Sequence, residues 1–156
     1  MEKYIGIISI VIFTVQSSFG QIAMSVDAAE SQGISLNNLE SSYADGVHSN
    51  PDSAVFADVQ NEYIKAYYDM IQEINTYLNT NNFKWGGLIR CTNNIYFNEE
   101  GRVDYFIYEF EEGELQDERL EEFDQLLNEF IADYQFPMTK SQKFSQCSPV
   151  NFRDVL

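Results

Sequence analysis

The sequence predicts an α+β fold in the order α-β-β-α-β. Its small three-stranded antiparallel sheet, in the order 2-1-3, packs against two helices. Two observations carry this. Residues 88–98 (LIRCTNNIYFN) and 102–110 (RVDYFIYEF) are rich in Ile, Phe, Tyr and Val and flank the turn Glu99-Glu100-Gly101. On either side of that hairpin, apolar residues recur every three or four positions, the spacing of a helix with one buried face.

Taken in order, residues 4–15 (YIGIISIVIFTV) form an apolar run followed by Ser18-Phe19-Gly20, small residues where a signal peptidase cuts. Residues 1–20 are therefore expected to be a signal peptide removed before Gln21. The run is short of the roughly 20 residues that span a bilayer, so a secreted or periplasmic protein without stable membrane insertion is expected. Residues 21–49 are polar and rich in Ser and Asn, and read as a flexible leader; Ile34, Leu36, Leu39 and Tyr43 allow one short helix after Ser35. Residues 50–156 read as a single α+β domain.

Asn50-Pro51-Asp52 opens the first long helix with a capping residue, a proline suited to the first turn and an acid at the positive end. Val55, Val59, Tyr63, Tyr67, Ile71, Ile74 and Leu78 make its buried stripe. In the hairpin, Gly101 at a left-handed position would close a three-residue loop and set Asn98 opposite Arg102. Uninterrupted alternation then puts Ile89, Cys91, Ile95 and Phe97 on a core face with Val103, Tyr105 and Ile107. The opposite face would carry Arg90, Thr92, Asn94 and Tyr96 with Asp104, Phe106, Tyr108 and Phe110. Trp85, Arg90, Tyr96, Phe106, Tyr108 and Phe110 are the binding-face candidates, aromatic surface with one cation being the composition that interfaces favour. The alternative is that the first helix covers this face as a second half-core.

Asp117 suits the start of a second helix whose stripe is Leu120, Phe123, Leu127, Phe130, Ile131 and Tyr134, ended by Pro137. Residues 143–152 (KFSQCSPVNF) form the last strand, with Phe144, Gln146, Val150 and Phe152 on one side. Pro149 cannot donate to a ladder, which places this strand at an edge or gives it a bulge. An all-antiparallel sheet puts residues 88–98 in the centre, so Cys91 and Cys147 fall on neighbouring strands. Side-chain parity opposes a disulfide between them, whereas a bulge at Ser148-Pro149 would permit one; an oxidising compartment leaves both open.

The chain has 25 acids against 9 Lys and Arg, a net charge of −16. Residues 99–129 alone hold 13 acids and 2 arginines. A phosphate backbone needs a basic surface, so nucleic acid is disfavoured as a partner. The acids read as a solvated face that keeps the protein soluble, the sharper alternative being an electrostatic footprint for another protein, basic in charge, or for a cation. One histidine (His48, in the leader) and two cysteines fall short of a zinc site. The acidic loop at 111–117 lacks EF-hand spacing. With no base–nucleophile pair in evidence, no cofactor and no enzymatic activity are expected.

Residues 94–108 (NIYFNEEGRVDYFIY) and 144–152 (FSQCSPVNF), in this order of elements, resemble the C-terminal domain of TonB-type energy transducers. Small secreted uncharacterised proteins of Bacteroidota-type bacteria share that fold. The chain has three prolines and nothing like the Pro-rich basic spacer of those transducers. The resemblance therefore implies a protein-binding module that adds a strand to a partner peptide. The function expected is a secreted or periplasmic non-catalytic binding module. An acidic inhibitor or adaptor of a basic envelope protein, or a small-ligand carrier using the mixed hairpin face, is the alternative.

Overall fold

The computed structural model describes residues 21–154. The expected signal peptide lies outside the described residues. The elements are β1 (Ile22–Ser25), α1 (Val26–Ser31), α2 (Leu36–Ser42), β2 (Ala44–Asp45), α3 (Gln60–Thr80), β3 (Ile89–Phe97), β4 (Val103–Phe110), α4 (Asp117–Asp133) and β5 (Phe144–Phe152). They form one five-stranded sheet in the order β1-β4-β3-β5-β2. β3 pairs antiparallel with β4 and β5, while β1 runs parallel to β4 and β2 parallel to β5. The sheet is thus mixed and five-stranded with four α-helices, not the three-stranded antiparallel sheet on two helices that the sequence pattern suggested.

The difference originates in residues 21–49, read from composition as a flexible leader. They carry β1, α1, α2 and β2 and cross from one sheet edge to the other. Strands of four and two residues are too short to show alternation, and their ladders come from β4 and β5 rather than from local propensity. The crossing segment covers the sheet face opposite α3 and α4. Ala29 and Tyr43 there are buried with Met24, Tyr96 and Ile107, and Ile34, Leu36 and Leu39 pack around them. A larger core lies on the other face, where Tyr63, Met70, Ile74 and Leu78 of α3 and Phe123, Leu127 and Ile131 of α4 meet Ile95, Phe106 and Phe144.

The first long helix also begins later than its capping signal suggests. Asn50 Oδ1 accepts from the Asp52 N–H at 3.2 Å, but this caps only a 3-10 turn at Pro51–Ser53. Val55 N–H then donates to the Asp45 carbonyl and Phe56 N–H to that of Gly46, tying the chain to the end of β2. Phe56 is thereby buried, stacked on Tyr63 with ring centroids 4.4 Å apart. α3 starts only at Gln60, after a second 3-10 turn at Ala57–Val59.

The hairpin turn has the expected form. Asn98 N–H donates to the Arg102 carbonyl at 2.9 Å, Gly101 N–H to Asn98 O at 3.0 Å, and Gly101 has φ +79°. Beyond the turn, however, the register slips: Phe97 pairs with Val103, but Tyr96 pairs with Tyr105, leaving Asp104 as an extra residue. A bulge of one residue turns every following side chain of β4 to the other face. Phe106, Tyr108 and Phe110 therefore join Ile95, Asn93 and Cys91, while Tyr105 and Ile107 go to the opposite face. Asp104 itself is anchored there by the Tyr43 hydroxyl at 2.7 Å and Lys143 Nζ at 3.1 Å.

Candidate functional site

The bulge dissolves the mixed hairpin face. Phe106 and Tyr108 are fully buried and Trp85 nearly so, Tyr108 and Trp85 both packing on Phe123 of α4. Trp85 stacks on Phe152 at 4.7 Å and donates from Nε1 to Asn75 Oδ1 at 2.8 Å. Phe110 packs on Phe123 at 5.2 Å, and the Tyr108 hydroxyl donates to Asp124 Oδ1. Tyr96 is buried on the other face, edge-on to Tyr43 at 5.1 Å. Arg90 alone is exposed, its Nε 4.0 Å from Glu111 Oε1. The six candidates thus divide between two cores and the surface, and the structure does not bring them together as a site.

The cysteines are likewise separated. The β3–β5 register runs unbroken from Ile89↔Phe152 to Phe97↔Phe144, so no bulge forms at Ser148-Pro149. Cys91 faces the α3–α4 core, Cys147 faces the other side of the sheet, and both are free. Burial pushes the Cys91 thiol up to about 12. It donates to Oδ1 of the fully buried Asn93 at 3.1 Å. Beside them the Tyr67 hydroxyl bonds to Ser148 Oγ. The Asn93 amide nitrogen meets no partner among the described residues.

The two sheet edges differ in a way the sequence did not disclose. At β1, Asn128 of α4 turns its side-chain amide toward the strand: the Ala23 N–H donates to Oδ1 at 2.8 Å and Nδ2 donates to the Ala23 carbonyl at 2.9 Å. That edge is closed by a side chain standing in for a strand. At the other edge, β2 covers only Phe144 and Ser145. The carbonyls of Lys143 and Ser145 point to that side, accepting from Ala44 and Gly46. Main-chain groups alternate along a strand, so those of Cys147, Pro149 and Asn151 point the same way, and all three residues are exposed. No strand lies beyond them among the described residues. Pro149, the one position lacking an N–H, falls where the missing donor would face outward and costs the β3 ladder nothing.

Two further surfaces are acidic. A cleft of about 340 Å³ is rimmed by Asp27, Glu109, Glu111 and Glu112 over Phe110 and Leu115. A more open groove of about 570 Å³ runs between α3 and α4. Among the described residues no group of three or more His, Cys, Asp and Glu is placed to hold a metal ion. His48 is exposed, its Nδ1 accepting from the Asn50 N–H at 2.9 Å. No described helix is long and apolar enough to cross a membrane.

The fold and surfaces define a mixed-sheet α+β protein with one closed and one open sheet edge. Set against protein families, curated proteins and solved structures, the chain matches none.

Proposed function

We propose that the protein is a non-catalytic binding module, secreted or periplasmic, that holds another protein by pairing a strand of it with the open edge of β5. The observation that carries this reading is the asymmetry of the two edges: Asn128 occupies Ala23 at β1, while β5 beyond Ser145 has no strand on its outer side among the described residues. In strand addition the main-chain bonds supply affinity and the flanking side chains supply selectivity. The TonB-type resemblance implies the same mode. Pro149 disfavours self-association, because in an antiparallel second copy centred on it each Pro149 carbonyl would face the other's ring nitrogen, which has no N–H to donate. The carrier alternative needed Phe106, Tyr108 and Phe110 on an accessible face, and they lie in or against the core.

The test is capture of partners on the immobilised protein from envelope and medium fractions, followed by hydrogen exchange on the complex. Strand addition expects the Cys147 and Asn151 amides to become protected, and Asn151→Pro to abolish capture without loss of fold, since that N–H faces outward. Protection confined to residues 109–112, with release by salt, would replace this reading with the acidic adaptor.

A further inference from the structure

We propose that the groove between α3 and α4 docks a lysine- or arginine-bearing segment of a partner protein. Its floor is a row of half-buried aromatic rings. Phe130 and Tyr134 stack at 5.0 Å, and Tyr77 leans on Phe130 at 5.6 Å. Carboxylates stand along both walls: Asp69 and Glu73 on α3, with Glu129 of α4 accepting from the Tyr77 hydroxyl at 3.2 Å. Asp69 and Glu73 line the groove together with Tyr77 and Phe130, and the Tyr134 hydroxyl is pushed up by burial first and then by those two carboxylates.

The chain supplies little to neutralise them. α3 holds three acids and one cation, Lys65, already paired with Asp69 at 2.5 Å. α4 holds seven acids and one cation, Arg119, whose guanidinium donates to the Lys84 carbonyl far from the groove. Lys65 answers Asp69, while Glu73 and Glu129 meet no cation among the described residues. Aromatic faces beside these two carboxylates suit a long cationic side chain, the stem lying on the rings and the head held by ring faces and by charge. Charge complementarity thus selects a basic segment over an acidic or neutral one. This inference stands apart from strand addition and survives or falls by its own test.

The probe is a synthetic peptide alternating lysine and leucine, titrated into the full chain at low salt. Binding is followed by amide chemical shifts and calorimetry. Shifts should map to residues 69–77 and 129–134. Glu73→Gln with Glu129→Gln, and separately Tyr134→Leu, should each weaken binding roughly 3–10-fold. Glu111→Gln with Glu112→Gln, at the other acidic cleft, should leave it unchanged. Lysine acetylation of the peptide should abolish it. The carboxylate pair is exposed, so it reports on binding even where Tyr134→Leu loosens the helices. Equal weakening by the two carboxylate pairs would reduce the effect to general counter-ion attraction and overturn the proposal. Spermidine competing as tightly as the peptide would overturn the protein-partner assignment in favour of a polyamine. Loss of β5 protection in the capture experiment, with these shifts intact, would remove strand addition and leave the groove standing.

Discussion

Asn128 and Ala23, 105 residues apart, are joined by two hydrogen bonds in which a side-chain amide replaces a neighbouring strand. The pair fastens β1, the first described strand, to α4. Replacing Asn128 by Ala would leave both main-chain groups of Ala23 facing α4 without partners. The expected loss is about 1–3 kcal/mol, the cost of unsatisfied part-buried polar groups. Urea unfolding of the two proteins measures it, and an unchanged midpoint would show that the edge is closed by packing alone.

Gly101 combines φ +79° with a tight environment, since a Cβ there would lie 2.7 Å from the Phe136 carbonyl oxygen. Gly101→Val should cost more than about 2 kcal/mol, because a β-branched residue resists the left-handed region and the main chain of residue 136 must move as well. Asn tolerates that backbone region but still carries a Cβ. Gly101→Asn should therefore also destabilise, by less. Equal melting temperatures for Gly101→Asn and the parent would sink the steric half of this account.

Thiol chemistry should distinguish the two cysteines. In the folded protein only Cys147 is accessible to iodoacetamide, and Cys91 should react after unfolding. Burial, then Glu40 and Asp45, raise the Cys147 thiol, so little thiolate forms near neutrality and alkylation should accelerate well into alkaline pH. Glu40→Gln should speed it at a given pH. A Cys91–Cys147 cross-link in native protein, seen by mass spectrometry, would contradict the opposite-face placement.

Asp124 gives a pH dependence of unusual sign for a carboxylate. Burial raises it above its ordinary 3.8, and the hydrogen bond from Tyr108 offsets only part of that. The native state therefore keeps this proton where the unfolded chain has lost it. Stability from this group is present below the unfolded value and is lost as pH rises through the folded one. Asp124→Asn retains an acceptor for Tyr108 and removes the charge. It should raise the unfolding midpoint at pH 7 and confer no advantage at pH 3. A midpoint lowered at pH 7 would mean that the charge-assisted bond outweighs burial.

Much of the architecture was legible because it is written locally. Gly101 between two β-rich runs located the turn, the i, i+3, i+4 stripes located α3 and α4, and Pro149 marked a strand that is not an edge by order but that β2 covers only at Phe144 and Ser145. The faces of the hairpin were not legible. A single extra residue, Asp104, inverts them, and what holds it out of the ladder is Tyr43 from one distant segment and Lys143 from another. No window around residues 96–105 contains either group. The candidate binding face failed for the same reason, since its membership depended on that parity.

By itself the sequence determined the acidic character of the protein, its central hairpin, its two long amphipathic helices and the strand that carries Pro149. These depend on composition and on periodicities of two and 3.6 residues, which neighbouring residues specify. Only the tertiary structure decided that residues 21–49 belong to the sheet, which way β4 faces, and which edge stays open. Those outcomes depend on partners more than 30 residues away: β4 for β1, β5 for β2, Asn128 for Ala23. A strand of two to four residues carries no signal of its own until a neighbouring ladder and a covering core give it somewhere to bind.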